Sequence, residues 1–184
     1  MKLKEICILK SGFQGKTSEG NDFLQIRLKD VNKDGIIDYS KLESFNSEKL
    51  SEKYLLSKDD IILKAKSGDN TAAIIYKELK NTVATSHFII LTVKDKNILD
   101  PGYLAMYLNS EYAQQYLKKR AEGSVIPIIK IKALEEFDIK IIDLEEQKEL
   151  SNIYKLMKKE KILLEDLVRT RENQFKVYLR NILD

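Results

Sequence analysis

The chain has 184 residues, with 32 basic and 29 acidic side chains, a formal net charge of +3 and a pI near 8.7. That length builds one domain with a real core plus one extended element, and so mild a charge permits nucleic-acid binding without arguing for it. One cysteine, Cys7, and one histidine, His87, exclude a disulfide framework, a cysteine metal cluster and two-histidine chemistry. Residues 1–10 alternate charged and apolar side chains, which is not the pattern of a secretory signal. No stretch approaches the roughly 20 apolar residues that span a bilayer, so a reducing, cytoplasmic setting is expected.

In chain order, residues 6–9 and 23–28 read as short strands, with residues 11–21 between them as a polar, glycine-containing loop. Asn32-Lys33-Asp34-Gly35 is a turn signal, its Asp-Gly pair suited to positive φ. Residues 54–64 carry the apolar run Ile61-Ile62-Leu63 after a turn at 57–60. A second polar loop, Ser67-Gly68-Asp69-Asn70-Thr71, leads into residues 72–76. After a turn near Asn81, residues 83–93 include Phe88-Ile89-Ile90-Leu91. Periodicity alone allows that run to be strand or buried helix, and its β-branched content and turn spacing favour strand. Asp100-Pro101-Gly102 opens a helix with an acidic N-cap and proline at the first helical position. Leu104, Tyr107, Leu108, Tyr112, Tyr116 and Leu117 follow at helical spacing, and Lys118-Lys119-Arg120 suit the negative end of its dipole before Gly123. A loop through Ser124 and Pro127 precedes a last expected strand at 137–142.

From about Leu144 onward there is no proline or glycine, and the pattern is helical. The reading is therefore α+β: a β-rich domain over residues 1–143 followed by one long helix of coiled-coil type over 144–184. Leu150, Ile153, Met157, Leu164, Leu167, Phe175, Tyr178 and Ile182 recur at intervals compatible with heptads, interrupted near Glu160 and Arg171. Such a helix is a rod roughly 55–60 Å long. A domain of this size is only about 30 Å across. The rod must overhang the domain or fold back, and an overhanging apolar stripe needs a partner, either a second copy or another protein.

Several blocks resemble the specificity subunits of type I restriction-modification systems. Lys2-Leu3-Lys4-Glu5-Ile6 and Leu9-Lys10-Ser11-Gly12-Phe13 are similar to the start of that family's target-recognition domain. Phe23-Leu24-Gln25-Ile26-Arg27-Leu28-Lys29-Asp30-Val31 is similar to its next strand and turn. Lys58-Asp59-Asp60-Ile61-Ile62-Leu63-Lys64-Ala65-Lys66-Ser67-Gly68 resembles a glycine-aspartate-isoleucine-leucine block, with Asp59 where the glycine usually stands. Residues 99–110 and 134–150, the latter with Glu145-Glu146-Gln147-Lys148, resemble the blocks leading into its long helix. The order of these blocks carries the resemblance, and it covers nearly the whole chain. Members typically have two recognition domains and two helices, whereas this chain has one of each, like half of a full subunit.

The resemblance implies a non-catalytic subunit that reads double-stranded DNA. A homodimer would present two recognition domains about a two-fold axis and read a bipartite, palindromic site whose spacer the helices set. A methyltransferase subunit would bring S-adenosylmethionine and a restriction (motor) subunit would bring ATP, with no cofactor on this chain. Candidate DNA contacts are Gln14, Lys16, Thr17 and Ser18 in the first loop, Arg27 and Lys29 on one strand face, and Lys64, Lys66, Ser67 and Asn70 at the second loop. Each has an ordinary alternative: a solvated loop, a solvated strand face, or, for Arg27 and Lys29, a surface ion pair. Lys118-Lys119-Arg120 suit helix capping better than DNA contact. His87, Cys7 and the tyrosines of residues 103–116 read as packing residues.

Other classes fit less well. Asp59, Asp60, Lys64 and Lys66 superficially supply a metal-dependent nuclease, but the usual acid-X-lysine pair after a second strand is missing. A methyltransferase needs a glycine-rich cofactor loop and a motif such as Asn-Pro-Pro-Tyr, and neither occurs. The remaining alternative is a protein-interaction module that dimerises through its helix without DNA specificity. It accounts for the mild net charge, and an even surface charge with an exposed apolar patch would favour it.

Overall fold

The computed structural model describes residues 1–123 and 126–183, so part of the expected loop at Ser124 lies outside the described residues. It contains seven strands and five α-helices: α1 Leu3–Ile6, β1 Cys7–Ser11, β2 Ser18–Ile26, β3 Glu43–Asn46, β4 Ile61–Lys64, β5 Ala72–Ile74, β6 Thr82–Ala84, β7 Phe88–Val93, α2 Pro101–Leu108, α3 Glu111–Arg120, α4 Ile131–Glu135 and α5 Leu144–Leu183. The architecture is α+β with one long C-terminal helix, as expected.

Two sheets divide the strands. The first is antiparallel, in the order β1-β7-β4-β5, and the second is the three-stranded β3-β2-β6, in which β2 and β6 run parallel. The unbroken apolar runs of β4 and β7 have a direct cause, for both strands are central and covered on both faces. Ile61, Leu63, Ile89 and Leu91 face a core with Tyr103, Leu104 and Leu108 of α2 and Leu117 of α3. Ile62, Phe88 and Ile90 face a second core with Ile26, Val31 and Ile75. Burying each such side chain stabilises the fold by about 1.5–3 kcal/mol. A third cluster, of Phe13, Phe45 and Val83, packs the second sheet against the first loop.

Turn chemistry sets the joints. Asn32 Oδ1 accepts from the N–H groups of Asp34 and Ile36 at 2.9 Å each, and Gly35 takes φ 70° where a Cβ would lie 2.3 Å from Ala72 O. Asp59, the departure from the family's glycine, also adopts positive φ, at 72°. Aspartate tolerates that region better than most residues, so the turn accepts Asp59.

Several expected elements are corrected. Residues 83–93 are not one strand but β6 and β7, in different sheets, turned at Thr85-Ser86-His87. The first loop is shorter than 11–21, because β2 starts at Ser18. That strand ends at Ile26, and Leu28–Asp30 is a 3-10 turn, so Arg27 and Lys29 do not share a strand face. The helix opened by Asp100, whose carboxylate accepts from Tyr103 N–H at 2.7 Å, breaks after Leu108, and Ser110 caps a new helix by accepting from Ala113 N–H. Residues 137–142 form no strand. Phe137 O and Met1 O accept from Leu3 and Ile139 N–H, leaving only an isolated bridge from Lys2 to Asp138.

The long helix begins as expected, at Leu144. Its attachment is polar. Gln147, fully buried, accepts from Asp100 N–H at 2.9 Å and donates to Ile98 O at 3.0 Å and Ile142 O at 2.9 Å. One amide thereby ties the start of α2, the preceding segment and α5 together. Replacement by leucine strands an N–H and two carbonyls, at about 1–3 kcal/mol per buried unsatisfied group. We expect Gln147→Leu to lower stability by about 2–4 kcal/mol in urea unfolding followed by circular dichroism, with a large drop in midpoint.

Candidate nucleic-acid interface

All four strands of the first sheet contribute to one loop cluster. β1 and β4 end there and β5 and β7 begin there, as the pairs Ser11–Ile89, Lys64–Phe88 and Leu63–Ala72 require. Three connections meet at this end: the first loop after β1, the loop between β4 and β5, and the β6–β7 turn. The turn stitches the other two together. Gly12 N–H donates to Phe88 O at 3.0 Å and Phe13 N–H to Ala84 O at 2.7 Å, while Ala65 and Lys66 N–H donate to His87 O at 2.8 and 3.2 Å. Gly12 is required by this approach, since a Cβ would lie 2.1 Å from Thr85 O.

In the first loop Gln14, Lys16 and Thr17 are exposed, and Ser18 is exposed at the start of β2. The loop is held at its far side by Ser47, whose hydroxyl donates to Lys16 O at 3.2 Å. In the second, Lys66 and Ser67 are half-buried and Gly68 is open, with nothing near a Cβ built upon it. These residues supply hydroxyl, amide and ammonium groups able to meet phosphates or base edges.

Lys64 and Asn70 have a different place. The Lys64 side chain is only 6% exposed, and its Nζ sits 3.3 Å from Asp69 Oδ2. Asn70 is buried and donates to Lys64 O at 3.0 Å. Burial opposes ionisation of Asp69, but hydrogen bonds from Thr71 and the Lys64 charge outweigh it and hold the carboxyl below its usual range. Lys64 and Asn70 thus brace the loop from beneath. They do not stand on its surface beside Lys66, as the spacing had suggested.

Arg27 follows Ile26, whose carbonyl accepts from Thr85 N–H, so its backbone lies beside the turn. Its guanidinium is engaged by Glu43 and lies 3.8 Å from Asp30, which is the surface ion-pair alternative for that residue. Lys29 is exposed on the 3-10 turn, outside the loop cluster.

Sequence reasoning missed Thr85, Ser86 and His87. His87 is exposed, not packed, and its Nδ1 lies 3.4 Å from Thr85 Oγ1 at the centre of the cluster. The polar triplet between Val83-Ala84 and the Phe88 run was the available signal. Cys7, by contrast, is core, and burial pushes its thiol up to about 12. Among the tyrosines, Tyr107, Tyr112 and Tyr116 all pack on the Phe137 ring, although Tyr112 is 58% exposed.

The second surface is α5. Leu150, Ile153, Met157, Leu164, Leu167, Phe175, Tyr178 and Ile182 are each between 39 and 62% exposed. Leu156, Leu163, Val168 and Leu179 widen the stripe, and heptad spacing alone did not select them. No helix among the described residues is long and apolar enough to cross a membrane. Among the same residues, no group of three or more His, Cys, Asp or Glu is placed to hold a metal ion.

Residues 1–169 match the family described as the type I restriction modification DNA specificity domain. The fold is similar to that of the S subunit of a type I restriction-modification system from M. genitalium, at 17% identity and a TM-score of 0.58 over 86% of this chain. It is also similar to the HsdS subunit from Thermoanaerobacter tengcongensis, at 18% identity and a TM-score of 0.59 over 87% of this chain. A further likeness, at 17% identity and a TM-score of 0.62 over 89% of this chain, is to a chain from a study of complex assembly and conformational transition in the type I R-M system. The chain spans only 38%, 37% and 38% of those three, respectively. No curated protein matches it. With a match over 169 of 184 residues, the chain belongs to the type I restriction-modification DNA specificity domain family.

Proposed function

We propose that this chain reads one half of a bipartite DNA site, without catalytic activity of its own, as a homodimer joined through α5. The observation that carries the reading is the family match, which runs from Met1 into the long helix. The loop cluster supports it physically. Exposed Gln14, Lys16, Thr17, Ser18 and His87, with Lys66 and Ser67, offer donors and acceptors on loops mounted on a doubly covered sheet. Lys16 and Lys66 serve phosphates in this reading, while Gln14, Ser67 and His87 reach base edges. Lys64 and Asn70 hold the loop in place.

The uncovered stripe of α5 supports pairing. Beyond Ile162 every described residue of the helix is exposed, an overhang of about 30 Å at 1.5 Å per residue. Two such helices packed antiparallel about a two-fold axis cover each other's stripe and set the separation of the two domains. The methyltransferase and restriction subunits assemble on this scaffold, with S-adenosylmethionine and ATP bound by them. The working compartment is the cytoplasm.

Selection from a random duplex library, with the methyltransferase subunit present, tests the whole reading. The expected product is a split palindrome of fixed spacer. An asymmetric split site would make the chain one half of a heterodimer, and no enrichment at low salt would favour the protein-interaction alternative. Charged replacements in the stripe, Leu164→Glu with Leu167→Glu, should give monomers in sedimentation with the domain's circular dichroism retained. A persistent dimer would take these residues out of the interface. For DNA contact, Lys16→Ala with Lys66→Ala should weaken binding across sequences and reduce the salt slope by about 1–2, at about 0.9 per lost phosphate contact. Lys64→Met should leave that slope unchanged.

A further inference from the structure

The face that α5 turns toward its own domain is not its apolar stripe. Leu144, Gln147, Ser151, Tyr154, Lys158 and Ile162 are the half-buried or buried positions, spaced three or four apart, and most are polar. A directional polar contact stands at each end of this face, and between them Ser151 packs closely on Gly102 of α2. The first is the Gln147 amide. The second lies 14 residues along, about 21 Å by helical rise. There Lys161 Nζ bonds Asp34 Oδ1 at 2.6 Å, in the Asn32–Gly35 turn.

Neighbouring contacts reinforce the second anchor. Lys155 Nζ sits 4.8 Å from the ring centre of Tyr76, which belongs to the domain. A Cβ on Gly35 would come within 3.3 Å of Lys158 Nζ, so the turn and the helix are closely apposed. Desolvation lowers Lys158 to about 8, with the Asp34 charge opposing the shift. Asp34 thus faces two ammonium groups from the helix.

We propose that the Asp34–Lys161 pair is a positioning device that fixes the angle between the domain and α5, and thereby the spacer length of the DNA site. The inference rests on the DNA-reading dimer proposed above. A non-directional apolar joint would tolerate sliding, whereas two polar anchors far apart define a direction. With the outer anchor weakened, the domain is freer to tilt about the end of the joint held by Gln147 and Ser151. A tilt of about 6° moves a point roughly 30 Å away by one base-pair step of about 3.4 Å. Neither Asp34 nor Lys161 belongs to the loop cluster, so the half-site sequences are untouched.

The test compares the wild-type chain with Asp34→Lys, Lys161→Asp and the charge-swapped double variant in the library selection. Each single variant is expected to keep the half-site sequences while the spacer distribution broadens or shifts by at least one base pair, and the double variant is expected to restore it. An unchanged spacer in both single variants, or no restoration in the double, overturns the proposal. Pulsed electron paramagnetic resonance separates this from failure of the DNA reading. Spin labels at Lys118→Cys and Asn173→Cys, in the Leu164→Glu/Leu167→Glu background, report the domain-to-helix distance without DNA. Cys7, buried in the core, does not compete for label. A broadened distance distribution in the single variants that narrows again in the double supports the device even where no DNA site is selected. Equal distributions in all four chains sink it.

Discussion

The joint between α5 and its own domain is mainly polar, and the exposed apolar side chains of the helix lie outside it. Gln147 carries the consequence. Buried and fully hydrogen-bonded, it satisfies Asp100 N–H, Ile98 O and Ile142 O at once. An apolar residue there would gain burial but leave three backbone groups without partners, and the cost of those groups outweighs the gain. The domain is thereby fastened to the rod without spending Leu150, Ile153 or Met157, which stay exposed.

The other half of the design lies in the first sheet. β4 and β7 are covered on both faces, so their ends are rigid points from which loops project. The three loops at one end are joined by backbone bonds through the β6–β7 turn, and Lys64, Asp69 and Asn70 brace one of them internally. Rigid supports with polar tips are what a sequence-reading surface needs, because a base contact displaced by an ångström is no longer a hydrogen bond.

Much of this was legible in the sequence because local chemistry determines it. The long helix declared itself by the absence of proline and glycine after Leu144, and α2 by Asp100 and Pro101. The Asn32–Gly35 turn was readable from its side chains alone. Long-range partners were not. The polar triplet Thr85-Ser86-His87 marks a turn between Val83 and Phe88, but nothing local says that the two strands it joins belong to different sheets. The helix break after Leu108 was hidden because Ser110 caps α3 while the apolar spacing continues across it. Lys64 reads as a surface cation until Asp69, five residues on, folds back over it. His87 reads as a packing residue until its exposure at the sheet end is known.

Gly68 has a consequence for how this surface changes over generations. Its α-carbon faces open space, on a loop whose shape is kept by Lys64, Asp69 and Asn70 and not by the glycine. A Cβ added there has no atom within 4 Å. Gly12, pressed against the Thr85 carbonyl, has no such freedom. If the loop meets DNA as proposed, Gly68 is therefore a position where a single codon change places a new group on that surface without a steric clash at its Cβ.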